Sequence, residues 1–144
     1  MQVLLILLGS TLLFRLLGAA GVTRFGTWLV SARAGLAIMF LFTAASHFGP
    51  MKRELIAMVP PSLPRPDLLV LLTGIAEAVG ALGLLVPEIR FWAACGLIVL
   101  LVAMLPANIS AVRRNLTLRG RPATALVLRI PMQMLFVGWA WSVR

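Results

Sequence analysis

The sequence predicts an all-α integral membrane protein, a bundle of four or five apolar helices, and three observations carry that expectation. The 144 residues are 61% hydrophobic and only 12% charged, where soluble domains run at about 45–50% apolar and about 25% charged. A mean hydropathy of +1.03 is more apolar surface than a soluble domain of this size can hide, because surface falls slowly relative to volume. The apolar residues also gather into five runs, each near the roughly 20 residues that cross a hydrocarbon core of about 30 Å. One membrane domain, 1–144, is the expected organisation.

The first run, 2–20, has the flanks of a retained helix rather than of a cleaved signal peptide. Met1 and Gln2 bring no side-chain charge, and Arg15 comes late in the run. The second run, 27–48, closes on the only histidine, His47. An interfacial loop, 49–66, follows. In its first half Met51, Leu55, Met58 and Val59 share one helical face, opposite Lys52, Arg53 and Glu54, the pattern of a short helix lying in the headgroup region. Its second half, PPSLPRP, cannot be helical, because proline lacks the amide donor and restricts the residue before it. Asp67 is the expected N-cap of the third run, 67–86. The fourth, 91–112, contains Pro106, which frees the Val102 carbonyl and demands another partner for it. A basic, turn-rich loop leads to the fifth run, 123–143.

Counting basic residues in short loops predicts the orientation. One side receives Lys52, Arg53, Arg65, Arg113, Arg114, Arg119 and Arg121; the other has Arg24, Arg90 and Arg144, with Arg15 and Arg33 near it. The first side, with the N-terminus, is expected to be cytoplasmic. The net charge of +9 is spread among these loops instead of forming a soluble basic face, so lipid headgroups fit it better than nucleic acid. Cys95, alone, forms no internal disulfide. Neither metal-cluster spacing nor a GxSxG, HExxH or phosphate-loop pattern occurs. Bis-histidine haem is impossible with one histidine, and no spacing supports a His–Met pair.

Ionisable groups inside a bilayer are costly and face protein or a water-filled cavity. Glu77 sits near the middle of the third run, with Thr73, Gly74, Gly80 and Ala81 at helical neighbour positions. This small-residue stripe suits close helix packing. Glu77 is therefore expected to face another helix, either locked to an intramembrane arginine or serving as a proton or ligand site. Arg33 lies fourteen residues before His47, on the same face and about 21 Å away along the axis. Arg129 and Gln133 are one turn apart in the fifth run, and Asn108 follows Pro106 in the fourth. Tracing the chain back and forth puts His47, Asn108 and Arg129 in one leaflet with Glu77 and Gln133 deeper. These five groups are expected to meet in one polar pocket, functional or merely a hydrogen-bonded knot.

The same residues carry a resemblance to the DoxX-like family of small bacterial membrane proteins. It runs through ASHFGPMKRELIAMVPPSLPRPD (45–67), LTGIAEAVGALGLLVPEIR (72–90), MLPANISA (104–111) and LRIPMQMLFVGWAW (128–141). The resemblance implies a four-helix membrane bundle in a bacterial inner membrane, with 2–20 as an additional N-terminal helix. It implies no defined catalysis; some relatives are subunits of quinone-linked or other oxidoreductive complexes. Matching positions are His47, Glu77, Asn108, Arg129 and Gln133. Three functions follow as expectations. The first is an accessory or anchoring subunit with other membrane or redox subunits as partners, not an enzyme on its own. The second is a component that handles quinone at Glu77 and His47. The third is a small transporter or ion carrier using Glu77, Arg33 and Arg129.

Overall fold

A computed structural model describes residues 2–118 and 120–144, with the backbone alone at Arg121. Arg119, counted above in the basic loop, and Met1 lie outside the described residues. Helix α1 (Gln2–Ala19) ends where Gly21, at φ +106°, lets the Val22 amide donate back to the Leu17 carbonyl, a left-handed cap that only glycine adopts freely. A single 3₁₀ turn, Thr23–Phe25, places Phe25 against Phe14 with ring centroids 4.7 Å apart. Helix α2 (Trp28–Phe48) is capped by Thr27, whose hydroxyl accepts from the Val30 amide at 3.3 Å.

The segment 49–66, expected to be interfacial, contains the short helix α3 (Lys52–Met58), with Met58 buried and Arg53 exposed. The proline-rich half after it is turn and coil. Helix α4 (Pro66–Gly83) begins one residue earlier than expected, so Asp67 lies in its first turn and is not the cap. Proline takes the first helical position because its missing amide would be unpaired there anyway and its φ is already helical. The fourth run divides at Met104 into α5 (Arg90–Ala103) and α6 (Leu105–Arg113), with Pro106 in the first turn of α6. The basic loop folds back as a two-residue ladder, β1 (Thr117–Leu118) against β2 (Arg121–Pro122). Helix α7 (Leu126–Ser142) closes the chain, with Pro131 inside it.

The all-α class holds, and among the described residues four stretches are long and apolar enough to cross a membrane: Gln2–Ala19, Trp28–Phe48, Pro66–Gly83 and Arg90–Arg113. Helix α7 has 17 residues, about 26 Å at the α-helical rise. Large apolar side chains cover the outside, among them Val127 at 77%, Trp92 at 73% and Met134 at 69% exposed, an arrangement that suits hydrocarbon and not water.

Helix α1 packs on α2, α2 on α4, α4 on α5, and α5 on α7, with a smaller contact returning from α7 to α2. Leu36 and Phe40 of α2, Leu84 just after α4, Leu97 of α5 and Ala140 of α7 meet in the buried core, and Leu7 of α1 joins them. Lipid drives helices together no better than it solvates them, so contact depends on close fit. At the α1–α2 crossing a Cβ on Gly35 would fall 2.1 Å from the Thr11 hydroxyl and 2.9 Å from its backbone nitrogen. Gly35→Ala is therefore expected to lower stability in detergent by about 1–3 kcal/mol, the usual effect of overpacking. Gly96→Ala, with no atom within 4 Å of the new Cβ, should leave it unchanged or raise it by up to about 1 kcal/mol. Equal unfolding midpoints for the two variants would show that α1 is not seated at Gly35.

Candidate functional site

His47, in the last turn of α2, and Glu77, in the middle of α4, are both buried where the two helices cross. What brings them together is a missing side chain. Gly74 lies one turn before Glu77, and a Cβ there would stand 2.5 Å from the His47 Cβ and 2.8 Å from its Cγ. The imidazole lies in the space that this glycine leaves.

Nδ1 of His47 is 2.8 Å from the Val70 carbonyl. A carbonyl only accepts, so Nδ1 carries a proton and donates it. The Thr73 hydroxyl lies 3.3 Å from the same nitrogen, and its own hydrogen goes to the Leu69 or Val70 carbonyl at 2.9 or 3.1 Å. The tautomer so assigned turns Nε2 toward Glu77, 3.5 Å from Oε2. That is an ion-pair distance, longer than a hydrogen bond. Two states fit that distance: a protonated carboxyl group facing a neutral imidazole, or a carboxylate paired with an imidazolium. The Thr43 hydroxyl is within hydrogen-bonding reach of the same carboxyl group. Oε2 itself has no hydrogen-bond partner among the described residues.

A second polar group forms between α6 and α7. Arg129 Nη2 donates to Asn108 Oδ1 at 2.6 Å, and Gln133 Nε2 donates to the Leu101 carbonyl. Gln133 thus reaches the end of α5 beside the break, at the Leu101 carbonyl and not at that of Val102, the carbonyl expected to need a new partner. Asn108 is buried, with Arg129 and Gln133 half-buried.

The single five-residue pocket expected from the sequence therefore resolves into two groups, His47 with Glu77 and Asn108 with Arg129, Gln133 lying one turn beyond Arg129. No hydrogen bond or ion pair among the described residues joins them. Backbone carbonyls take donors that a sequence reading assigns to other side chains. Arg33 belongs to neither group. It is buried toward the other end of α2, where its Nε donates to the Val143 carbonyl at 2.9 Å, near the Trp139 indole, which donates to the Ala32 carbonyl at 3.2 Å. Together these bonds tie the end of α7 to α2.

Gly74, Thr73 and the Val70 carbonyl complete the site. Their signal in the sequence is the small-residue stripe around Glu77, which indicates packing but does not name its guest. Among the described residues no three His, Cys, Asp or Glu side chains gather as metal ligands. A cleft of about 380 Å³ between α5 and α7, walled by Val102, Leu105, Ile130 and Met134, reaches Gln133 but neither His47 nor Glu77.

A family model described as "Domain of unknown function (DUF8561)" matches residues 36–144. The match takes in most of α2 and every later helix and leaves α1 outside it. No curated protein and no solved structure matches the chain.

The two-group arrangement has a thermodynamic signature. A double-mutant cycle on Asn108→Leu and Arg129→Met should give a coupling of about 0.5–2 kcal/mol, the range for interhelical hydrogen bonds in membranes. A cycle on Glu77→Gln and Arg129→Met should add within about 0.5 kcal/mol, as residues without shared partners do. Strong coupling between Glu77 and Arg129 in detergent unfolding would restore the single pocket.

Proposed function

The chain belongs to the DUF8561 family, and on that premise we propose that it is a multi-pass membrane protein acting as an accessory or anchoring subunit of a membrane oxidoreductive complex. The observation that carries this reading is the use made of His47 and Glu77. They face each other across the α2–α4 crossing, and the imidazole is further engaged with the Val70 carbonyl, so the pair locks two helices together. Arg129 with Asn108, and Arg33 with the Val143 carbonyl, do the same for α7. The redox context comes from the DoxX-like resemblance.

In this reading α2, α4, α5 with α6, and α7 form a four-helix DoxX-like core, all of them crossing the membrane, and α1 is an addition on its flank. The closed sequence of helix contacts supports the core, and the family match that begins after α1 supports the addition. The basic loops at one end support an orientation with that end, and the N-terminus, on the cytoplasmic side, and the DoxX-like resemblance suggests a bacterial inner membrane.

A second reading rests on one atom. Glu77 Oε2 is buried without a hydrogen-bond partner, and a carboxyl group beside an imidazole can pass a proton to a quinone oxygen. The pair would then bind and protonate a quinone whose electrons come from a partner subunit.

Gentle-detergent purification from native membranes tests both readings. A stoichiometric protein partner is expected, still retained after Glu77→Gln. A partner-free monomer with activity of its own would sink the subunit reading. If quinone is bound, Glu77→Gln should lower its occupancy about tenfold, the loss of one good hydrogen bond; unchanged occupancy dismisses quinone from Glu77.

A further inference from the structure

The basic end of the bundle carries a feature that the polar groups above leave unused. Between the turn after α3 and helix α6 lies a cleft of about 430 Å³, lined by Pro60, Pro106, Ile109, Ser110, Arg113 and Arg114. Half of this lining is apolar and half is donor groups, and no carboxylate is among them. Arg113 closes the apolar stretch Arg90–Arg113, so the cleft opens where a membrane-spanning segment reaches the headgroup layer.

Each donor has capacity to spare. Arg113 is exposed and makes no ion pair among the described residues. Arg114 Nη1 donates to the Ala57 carbonyl at 2.8 Å and lies 3.4 Å from that of Val59. These contacts pin the side chain against the end of α3, and a guanidinium has five N–H donors, more than these carbonyls use. Ser110 is 9% exposed, and its Oγ is sealed from solvent with no hydrogen-bond partner among the described residues. A helical serine usually turns its hydroxyl back to a carbonyl of its own helix. A buried hydroxyl that does not is a donor waiting for an acceptor.

We propose that this cleft is a binding site for the anionic headgroup of a phospholipid. Arg113 and Arg114 face the phosphate, which guanidinium groups meet with paired, charge-assisted hydrogen bonds. Rotation about its Cα–Cβ bond brings the Ser110 hydroxyl out to donate to it, and Pro60, Pro106 and Ile109 receive the first part of the acyl chains. The apolar half of the lining selects a lipid over free phosphate, which has nothing to offer those three residues. Occupancy ties α3, the proline turn and α6 to one lipid and holds α3 in the interface.

The test uses the full-length protein in neutral detergent, titrated with dioleoyl phosphatidylglycerol, dioleoyl phosphatidylcholine or inorganic phosphate, with bound lipid counted by native mass spectrometry. Phosphatidylglycerol should be retained, phosphatidylcholine should not, and retention should fall as salt rises. Ser110→Ala should weaken phosphatidylglycerol about tenfold, with lipid-free unfolding unchanged because the hydroxyl has no partner to lose. Arg113→Gln should weaken it about fivefold, the share of one basic charge at an anionic surface. Arg114 is left intact because it also holds α3. Equal retention of phosphatidylcholine, displacement of the lipid by inorganic phosphate, or wild-type affinity in either variant would overturn the site.

Discussion

Hydrocarbon offers no hydrogen bonds, so every polar group that this chain carries into a bilayer must find its partner within the protein. The rest of the structure follows from that constraint. Backbone groups are satisfied inside helices, which is why the chain is helical wherever it is apolar. Several polar side chains then sit at helix crossings, where another helix supplies the acceptor, and others such as Thr43 and Ser46 turn back to a carbonyl of their own helix. His47 finds the Val70 carbonyl, Arg33 that of Val143, Trp139 that of Ala32, and Gln133 that of Leu101. Each of these bonds runs from a side chain of one helix to the backbone of another, so satisfying the side chain and fixing the packing are one event.

Close approach is the second requirement, and small residues meet it. Gly35 admits Thr11, and Gly74 admits His47. In water a buried apolar face would supply most of the adhesion between helices. In lipid, shape and hydrogen bonding must supply it instead, so one glycine does more for the α2–α4 crossing than the leucines around it. The breaks serve the same end. The division at Met104 leaves carbonyl oxygens at the end of α5 open to a donor on another helix, and Gln133 of α7 supplies it.

The polar residues thus fall into three sets along the bundle. His47 with Glu77, and Asn108 with Arg129, hold the helices at the basic end, and Arg33 ties the tip of α7 at the other. Among the described residues five buried side-chain atoms lack a hydrogen-bond partner: Thr11 Oγ1, Arg15 Nε, Arg90 Nε, Glu77 Oε2 and Ser110 Oγ. Of these, Glu77 Oε2 lies beside a titratable imidazole and Ser110 belongs to the lining of a cleft.

The helical class, the four apolar stretches long enough to cross a membrane, the short helix over Lys52–Met58 and the interruption at Pro106 were all legible in the sequence. Each is set locally, by composition, by proline, or by periodicity over a few turns. The polar residues that matter were legible too, because an ionisable group in an apolar run stands out. Their partners were not. These helices are apolar around most of their circumference, so apart from the small residues beside Glu77 no stripe marks the face that turns inward, and a sequence does not show which carbonyl of a neighbouring helix comes within reach. Only the tertiary structure could divide one expected pocket into two groups, send Arg33 to the last turn of the chain and put His47 in the space left by Gly74. Those choices depend on the rotation and depth of whole helices against each other, which packing decides and local sequence does not.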